Sequence, residues 1–205
     1  MSDFDARARD WDKNRMHTER SSAIAKSLME NIPINNTLSA MEFGAGTGIL
    51  SFFLKDDLAK ITLIDNSKEM VAVCQEKCQH FNTKHITPLQ LDLEREDLEM
   101  KFDIIYSQMA LHHVKDVDAI LAKLTDLLND NGYLALADLC IEDGSFHGDN
   151  EDVHKGFDPE LLRQKLQALG FQNVTYNICY NLTRESGLTY PIFLLTGRLD
   201  LSRSN

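Results

Sequence analysis

A chain of 205 residues, 43% hydrophobic and 26% charged, has the apolar material for one packed α/β domain and little room for a second. The net charge of −11, with no Lys/Arg cluster to offset it, argues against a nucleic-acid substrate, because binding phosphate backbones needs a basic surface that displaces counterions. No apolar run reaches the ~20 residues that span a bilayer, and Met1 to Arg20 lacks the apolar segment of a secretory leader, so a cytoplasmic protein without a membrane span is expected.

In chain order, residues Asn14 to Glu30 place Met16, Ala23, Ile24, Ser27 and Leu28 on one stripe, the pattern of an amphipathic helix ended by Pro33 and Asn35-Asn36. Leu38 to Phe43 predicts a strand running into a glycine turn, and Ile49 to Leu58 a helix. Lys60 to Ile64 is a second strand ending at Asp65. Asn66 with Glu69 then has the form of a capping box, opening a helix whose buried stripe is Met70, Cys74, Cys78 and Phe81. Ile86 to Leu91 predicts a third strand, and its Pro88 suits an edge position.

Phe102 to Tyr106 predicts strand four, followed by a helix capped by Asp116 and closed by the turn Asn129-Asp130-Asn131-Gly132. Tyr133 to Ala137 is strand five, ending at Asp138. Leu139 to Phe157 is irregular and long for a loop in a compact domain, a mark of function or disorder. Asp158 and Pro159 open a last helix that stops before Gly170. Two strands near Val174 to Leu182 and Tyr190 to Leu199, with Gly187 between them, form a hairpin. The alternation implies an α/β fold, a Rossmann-like doubly wound seven-stranded sheet, mostly parallel, with an antiparallel C-terminal hairpin strand. Residues 1–36 are expected to form a helical lid segment and 37–205 the main domain.

In such sheets ligands bind beyond the carboxyl ends of the strands, so the residues just after each strand are the candidates. After strand one comes Glu42-Phe43-Gly44-Ala45-Gly46-Thr47-Gly48. Its glycines let backbone approach a ligand and lead into a helix N-terminus. The spacing i, i+2, i+4 differs from the dinucleotide fingerprint, which needs its third glycine where Ile49 stands. Asp65, ending strand two, can accept both hydroxyls of an adenosine ribose. Met70 one turn later is placed either against an adenine ring or in the core. Asp92 ends strand three, placed either within reach of an adenine amino group or as a plain loop acid, with Leu93 as an apolar wall.

Together these residues resemble the class I S-adenosylmethionine-dependent methyltransferases. Glu42-x-Gly44-x-Gly46-x-Gly48 looks like the first motif of that family, Asp65 like its ribose-binding acid and Asp92 like its adenine-binding acid. Phe102 to His113, with Gln108 and Met109 inside it, resembles the fourth motif of small-molecule methyltransferases related to ubiquinone and menaquinone biosynthesis enzymes. The resemblance implies a cofactor site made by Glu42, Gly44, Ala45, Gly46, Asp65, Asn66, Met70, Asp92, Leu93, Gln108 and Met109, holding S-adenosylmethionine and releasing S-adenosylhomocysteine. It also implies in-line methyl transfer to a small-molecule acceptor, by a monomer or a homodimer. DNA amino-methylase and cytosine-C5 methylase motifs are absent: Ser107-Gln108-Met109-Ala110 occupies the first position, and no proline precedes a cysteine.

A general base is needed only if the acceptor must lose a proton. His112 and His113 follow strand four, with at least one expected to pack locally, and His113 is the first candidate. The long loop adds Glu142, His147 and His154. A metal held by His113, Glu142, His147 and His154 matches no ligand spacing, and none is expected. The four cysteines are scattered and read as reduced thiols. Trp11, with Phe4 as an anchor, is placed either as a lid or simply docked on the core. The alternatives to a methyltransferase are an NAD-dependent oxidoreductase, against which stands the missing Tyr-x-x-x-Lys pair, and a non-catalytic S-adenosylmethionine-binding protein.

Overall fold

The computed structural model describes residues 3–148, 153–184 and 186–200. A short helix α1 (Asp3–Arg7) and a 3-10 turn (Ala8–Lys13) precede α2 (Arg15–Asn31). Then follow β1 (Ser39–Phe43), α3 (Ile49–Leu54), β2 (Lys60–Asp65), α4 (Lys68–His80), β3 (Ile86–Gln90) and β4 (Phe102–Gln108). A 3-10 turn (Leu111–His113) leads to α5 (Val117–Asp126), β5 (Leu128–Leu139), α6 (Pro159–Ala168), β6 (Phe171–Thr183) and β7 (Thr189–Leu199). The sheet order is β3-β2-β1-β4-β5-β7-β6, with β7 antiparallel to both of its neighbours. The seven-stranded doubly wound sheet is therefore as expected, with β3 at the edge where Pro88 is tolerated.

Burial on both faces explains why the central strands read as continuous apolar runs. Alternate residues serve opposite layers. Ala40, Ile61, Leu63, Ile104 and Ala135 pack with Ile24 and Leu28 of α2, Leu50 and Leu54 of α3 and Cys74 of α4. Met41, Phe43, Ile64, Ile105 and Leu134 pack with Ile120 and Leu124 of α5 and Leu162 and Leu166 of α6. Helix α2 packs into the main core through Ile24, Ala25 and Leu28.

Several local expectations are corrected. The cap of α4 is Ser67, whose Oγ accepts the Met70 N–H at 3.2 Å; Asn66 is exposed. Phe81 closes that helix outside the core, 54% exposed against Phe52. Helix α3 stops at Leu54 rather than Leu58, where Asp57 turns its N–H back to the Leu54 carbonyl. Asn129 to Gly132 does not form a free turn: it bulges within β5, since Phe102 pairs with Leu128 and Ile104 with Tyr133. Asn131, at φ +66°, absorbs the bulge because asparagine tolerates the left-handed region. Among the described residues no helix is long and apolar enough to cross a membrane.

Candidate active site

The strand order reverses between β1 and β4, which opens a crevice beyond their carboxyl ends. The glycine loop fills its floor. Gly44, Gly46 and Gly48 all have positive φ, and a Cβ on Gly44 would stand 2.3 Å from that of Ala110, so only glycine fits. Gly46 N–H donates to Asp65 Oδ2 at 2.7 Å, while Asp65 Oδ1 accepts the Ser67 N–H at 2.8 Å. Burial raises the Asp65 pKa, opposed by these two backbone donors.

Glu42 lies under the loop at 0% exposure. Its Oε2 accepts the Ser51 hydroxyl at 2.5 Å, and Ser51 Oγ in turn lies 2.6 Å from the Tyr106 hydroxyl. Burial pushes the Glu42 pKa up to about 8, and its Oε1 is buried without a hydrogen-bond partner among the described residues. An orphaned carboxyl oxygen beside a cradle that excludes side chains fits a bound ligand with a donor to offer.

The other expected contacts divide. Gln108, buried, accepts the Ser21 hydroxyl at 3.0 Å, and Met109 holds a φ of +52°, a strained conformation of a kind concentrated at functional sites. Ala45 is fixed by its N–H to the Ile64 carbonyl at 2.9 Å. Met70, 1% exposed, is taken up by packing under the loop, and Leu93 is likewise in the core. Asp92 turns inward on its own segment, accepting the Glu94 N–H at 3.1 Å and pairing with Arg95 at 3.4 Å.

The N-terminal segment is seated on this edge. Asp5 accepts the Ser67 hydroxyl at 2.6 Å, and Asp12 accepts that of Thr47 at 2.5 Å. Lys77 ties Asp12 to the Thr47 carbonyl at 2.7 and 2.9 Å. Trp11 stacks on His17, whereas Phe4 touches His113 edge-on, with centroids 5.1 Å apart. Of the two N-terminal aromatics, Phe4 is the one that reaches His113, while Trp11 stays on His17.

At the ends of β4 and β5 the rings of His112, His113 and His147 cluster, with centroids 4.1, 4.8 and 5.4 Å apart. Burial lowers the pKa of His113 to about 3 and of His147 to about 4, so both rings are neutral and weakly basic at pH 7. Of the two histidines, His112 is the one held locally, with Nδ1 2.6 Å from buried Asp138. His154 does not join them: its Nε2 lies 3.0 Å from the Val114 carbonyl. Glu142 is also occupied, its Oε2 accepting the N–H groups of Gly144 and Phe146 at 2.8 and 3.0 Å.

Two nearby groups escaped the sequence analysis. Arg20 is 7% exposed with its Nε unpartnered, and burial lowers its pKa to about 10. Its signal was the four-residue step Met16, Arg20, Ile24, Leu28, which puts a cation on the apolar stripe. Asp138 is a strand-end carboxylate by the same rule that found Asp65 and Asp92.

Residues 41–134 match the family model described as a methyltransferase domain. Over these residues the chain carries a methyltransferase domain. The oxidoreductase alternative falls with that match. A protein of Schizosaccharomyces pombe described as an uncharacterized methyltransferase is 34% identical over 153 residues, covering 66% of this chain and 54% of that protein. The chain thus spans about half the length of this curated relative. Among solved structures, the Haloferax volcanii protein in complex with the methyltransferase activator Trm112 superposes with a TM-score of 0.79 at 18% identity, covering 98% of this chain and 99% of that one. The methyltransferase domain also resembles DhpI, solved as a complex with SAM and HEP, with a TM-score of 0.71, 20% identity and coverage of 95% and 93%.

Proposed function

We propose that this chain transfers a methyl group from S-adenosylmethionine to a small-molecule acceptor. The observation that carries the reading is the Gly44 to Gly48 loop at the β1–β4 crevice, clamped by Asp65 and underlain by the unpartnered Glu42 oxygen. S-adenosylmethionine, when bound, supplies a methyl group already activated by its sulfonium.

The chain's own task is to bind, align and exclude water. The loop amides and Asp65 hold the nucleoside half, with the strained Met109 and Gln108 at the wall below the acceptor. The Asp5 and Asp12 contacts close the segment 3–13 over the opening. His113 and His147 line the acceptor side, with Phe4 against the first. Alignment of this kind is worth about 7–11 kcal/mol of a two-substrate barrier. The small acceptor is favoured by the acidic chain, which repels polyanions.

The test is thermal denaturation with S-adenosylmethionine, S-adenosylhomocysteine and NAD, followed by a metabolite screen with labelled methyl donor. Stabilisation by the first two and label transfer to a small product are expected. Stabilisation by NAD alone, or label appearing only in macromolecules, would overturn the reading.

A further inference from the structure

Adjacent residues on a helix ordinarily point apart, yet the 3-10 turn after β4 brings the rings of His112 and His113 to 4.1 Å. The loop after β5 adds His147. One ligating atom from each of the three lies within 4.8 Å of the others. Asp138 accepts the Nδ1 proton of His112, which leaves the lone pair of that ring on Nε2. His147 Nδ1 is buried and has no hydrogen-bond partner among the described residues.

We propose that His112, His113 and His147 form a site for one divalent ion of the zinc class, with Asp138 as the carboxylate that orients His112. Imidazole nitrogens select zinc and its transition-metal neighbours over magnesium or calcium, which take oxygen ligands. Three imidazoles with one position left open is the donor set of a catalytic zinc centre. The buried carboxylate behind a ligating histidine fixes its tautomer and strengthens it as a ligand. His147 is flanked by Gly144 and Gly148, at φ +95° and +62°. Zinc–nitrogen bonds of about 2.0–2.1 Å need ligand atoms roughly 3.4 Å apart, so the rings must close by about an ångström or more. Among the described residues a Cβ at Gly148 would meet nothing within 4 Å, so none of them crowds the backbone next to His147 on that side.

Under the methyl-transfer reading, the open position takes the acceptor's heteroatom. The metal site itself does not depend on that reading. Two carboxylates face the cluster, Asp138 on His112 and Glu142 beside His147, with the Arg184 guanidinium near His147 as the opposing charge.

The experiment strips the full chain with chelator, then titrates zinc against a chromophoric chelator and cobalt by visible absorption. One ion per chain and the intense bands of tetrahedral cobalt are expected. Asp138→Asn should weaken zinc about 10–100-fold. The double variant His113→Ala/His147→Ala should abolish binding, while His154→Ala, whose ring is held by a backbone carbonyl, should retain it. Circular dichroism accompanies each variant, and if Asp138→Asn is unfolded the double variant alone decides. Absence of binding to the folded wild type, or binding that survives the double variant, overturns the proposal. S-adenosylmethionine affinity is measured on the same samples. Its loss in the metal-binding wild type would sink the methyltransferase reading and leave the metal site standing.

Discussion

Gly46 N–H donates to Asp65 Oδ2 across 2.7 Å, tying the loop after β1 to the end of β2. The pair shapes the loop proposed as the cofactor cradle before any ligand arrives. Asp65→Ala removes the acceptor for both Gly46 and Ser67. S-adenosylmethionine affinity should fall at least about tenfold, with Asp65→Asn in between, because the amide retains one acceptor oxygen. Isothermal titration calorimetry checks this, and an unchanged affinity would remove Asp65 from the cradle.

Gly44 and Gly46 share a positive φ but not the same surroundings. An added methyl meets Ala110 at 2.3 Å in one case and only the Met70 sulfur at 3.9 Å in the other. Gly46→Ala should cost about 1–2 kcal/mol from left-handed strain. Gly44→Ala should cost roughly 1–3 kcal/mol more from overpacking. Urea denaturation of the two variants measures the order, which the contact distances require.

Glu42 gives the fold a pH dependence. Its pKa is about 8 in the fold, against 4.5 in the unfolded chain. Between these values the native state holds a proton that the unfolded state has lost, so stability falls as pH rises from about 4.5 to 8. The loss is on the order of a few kcal/mol. Glu42→Gln should flatten this slope and be more stable than wild type at pH 8. Urea midpoints at pH 5 and pH 8 test it, and parallel profiles would contradict the assignment.

Asp138 accepts the His112 ring at 2.6 Å, the Leu139 N–H at 2.7 Å and the His112 N–H at 3.3 Å, all within the core. Asp138→Ala orphans these donors and should destabilise the chain by about 3 kcal/mol or more. Asp138→Asn, which keeps a carbonyl oxygen, should lose less. Chemical denaturation of both variants decides.

Asp12 holds the N-terminal segment down through Thr47 and Lys77. Asp12→Ala should speed S-adenosylmethionine dissociation while changing global stability by less than about 1 kcal/mol, since the Lys77 pair is partly exposed. Stopped-flow release rates provide the check. An unaltered rate would mean the segment docks without covering the site.

The strand-end rule made Asp65 and the glycine loop legible, because period, turn chemistry and carboxylate position all follow from local sequence. It placed Asp92 less well: that carboxylate satisfies Glu94 N–H and Arg95 on its own turn. Met70 and Leu93, expected beside the cofactor, are both buried in this structure. Ser67 displaced Asn66 as the α4 cap, a one-residue shift that spacing alone does not resolve.

The sequence by itself determined the layered α/β sheet and the position of the glycine turn, because both are written in periodicities and residue types a few positions apart. Only the tertiary structure decided which histidines meet. His112 and His147 are 35 positions apart and come from different strand ends, while His154, a member of the expected loop set, is drawn off by the Val114 carbonyl. It also decided that Asp138 is buried against His112, with the buried Arg20 cation near Asp138. Long-range convergence depends on strand order and register, and no local pattern encodes the distance between two loops that a sheet brings together.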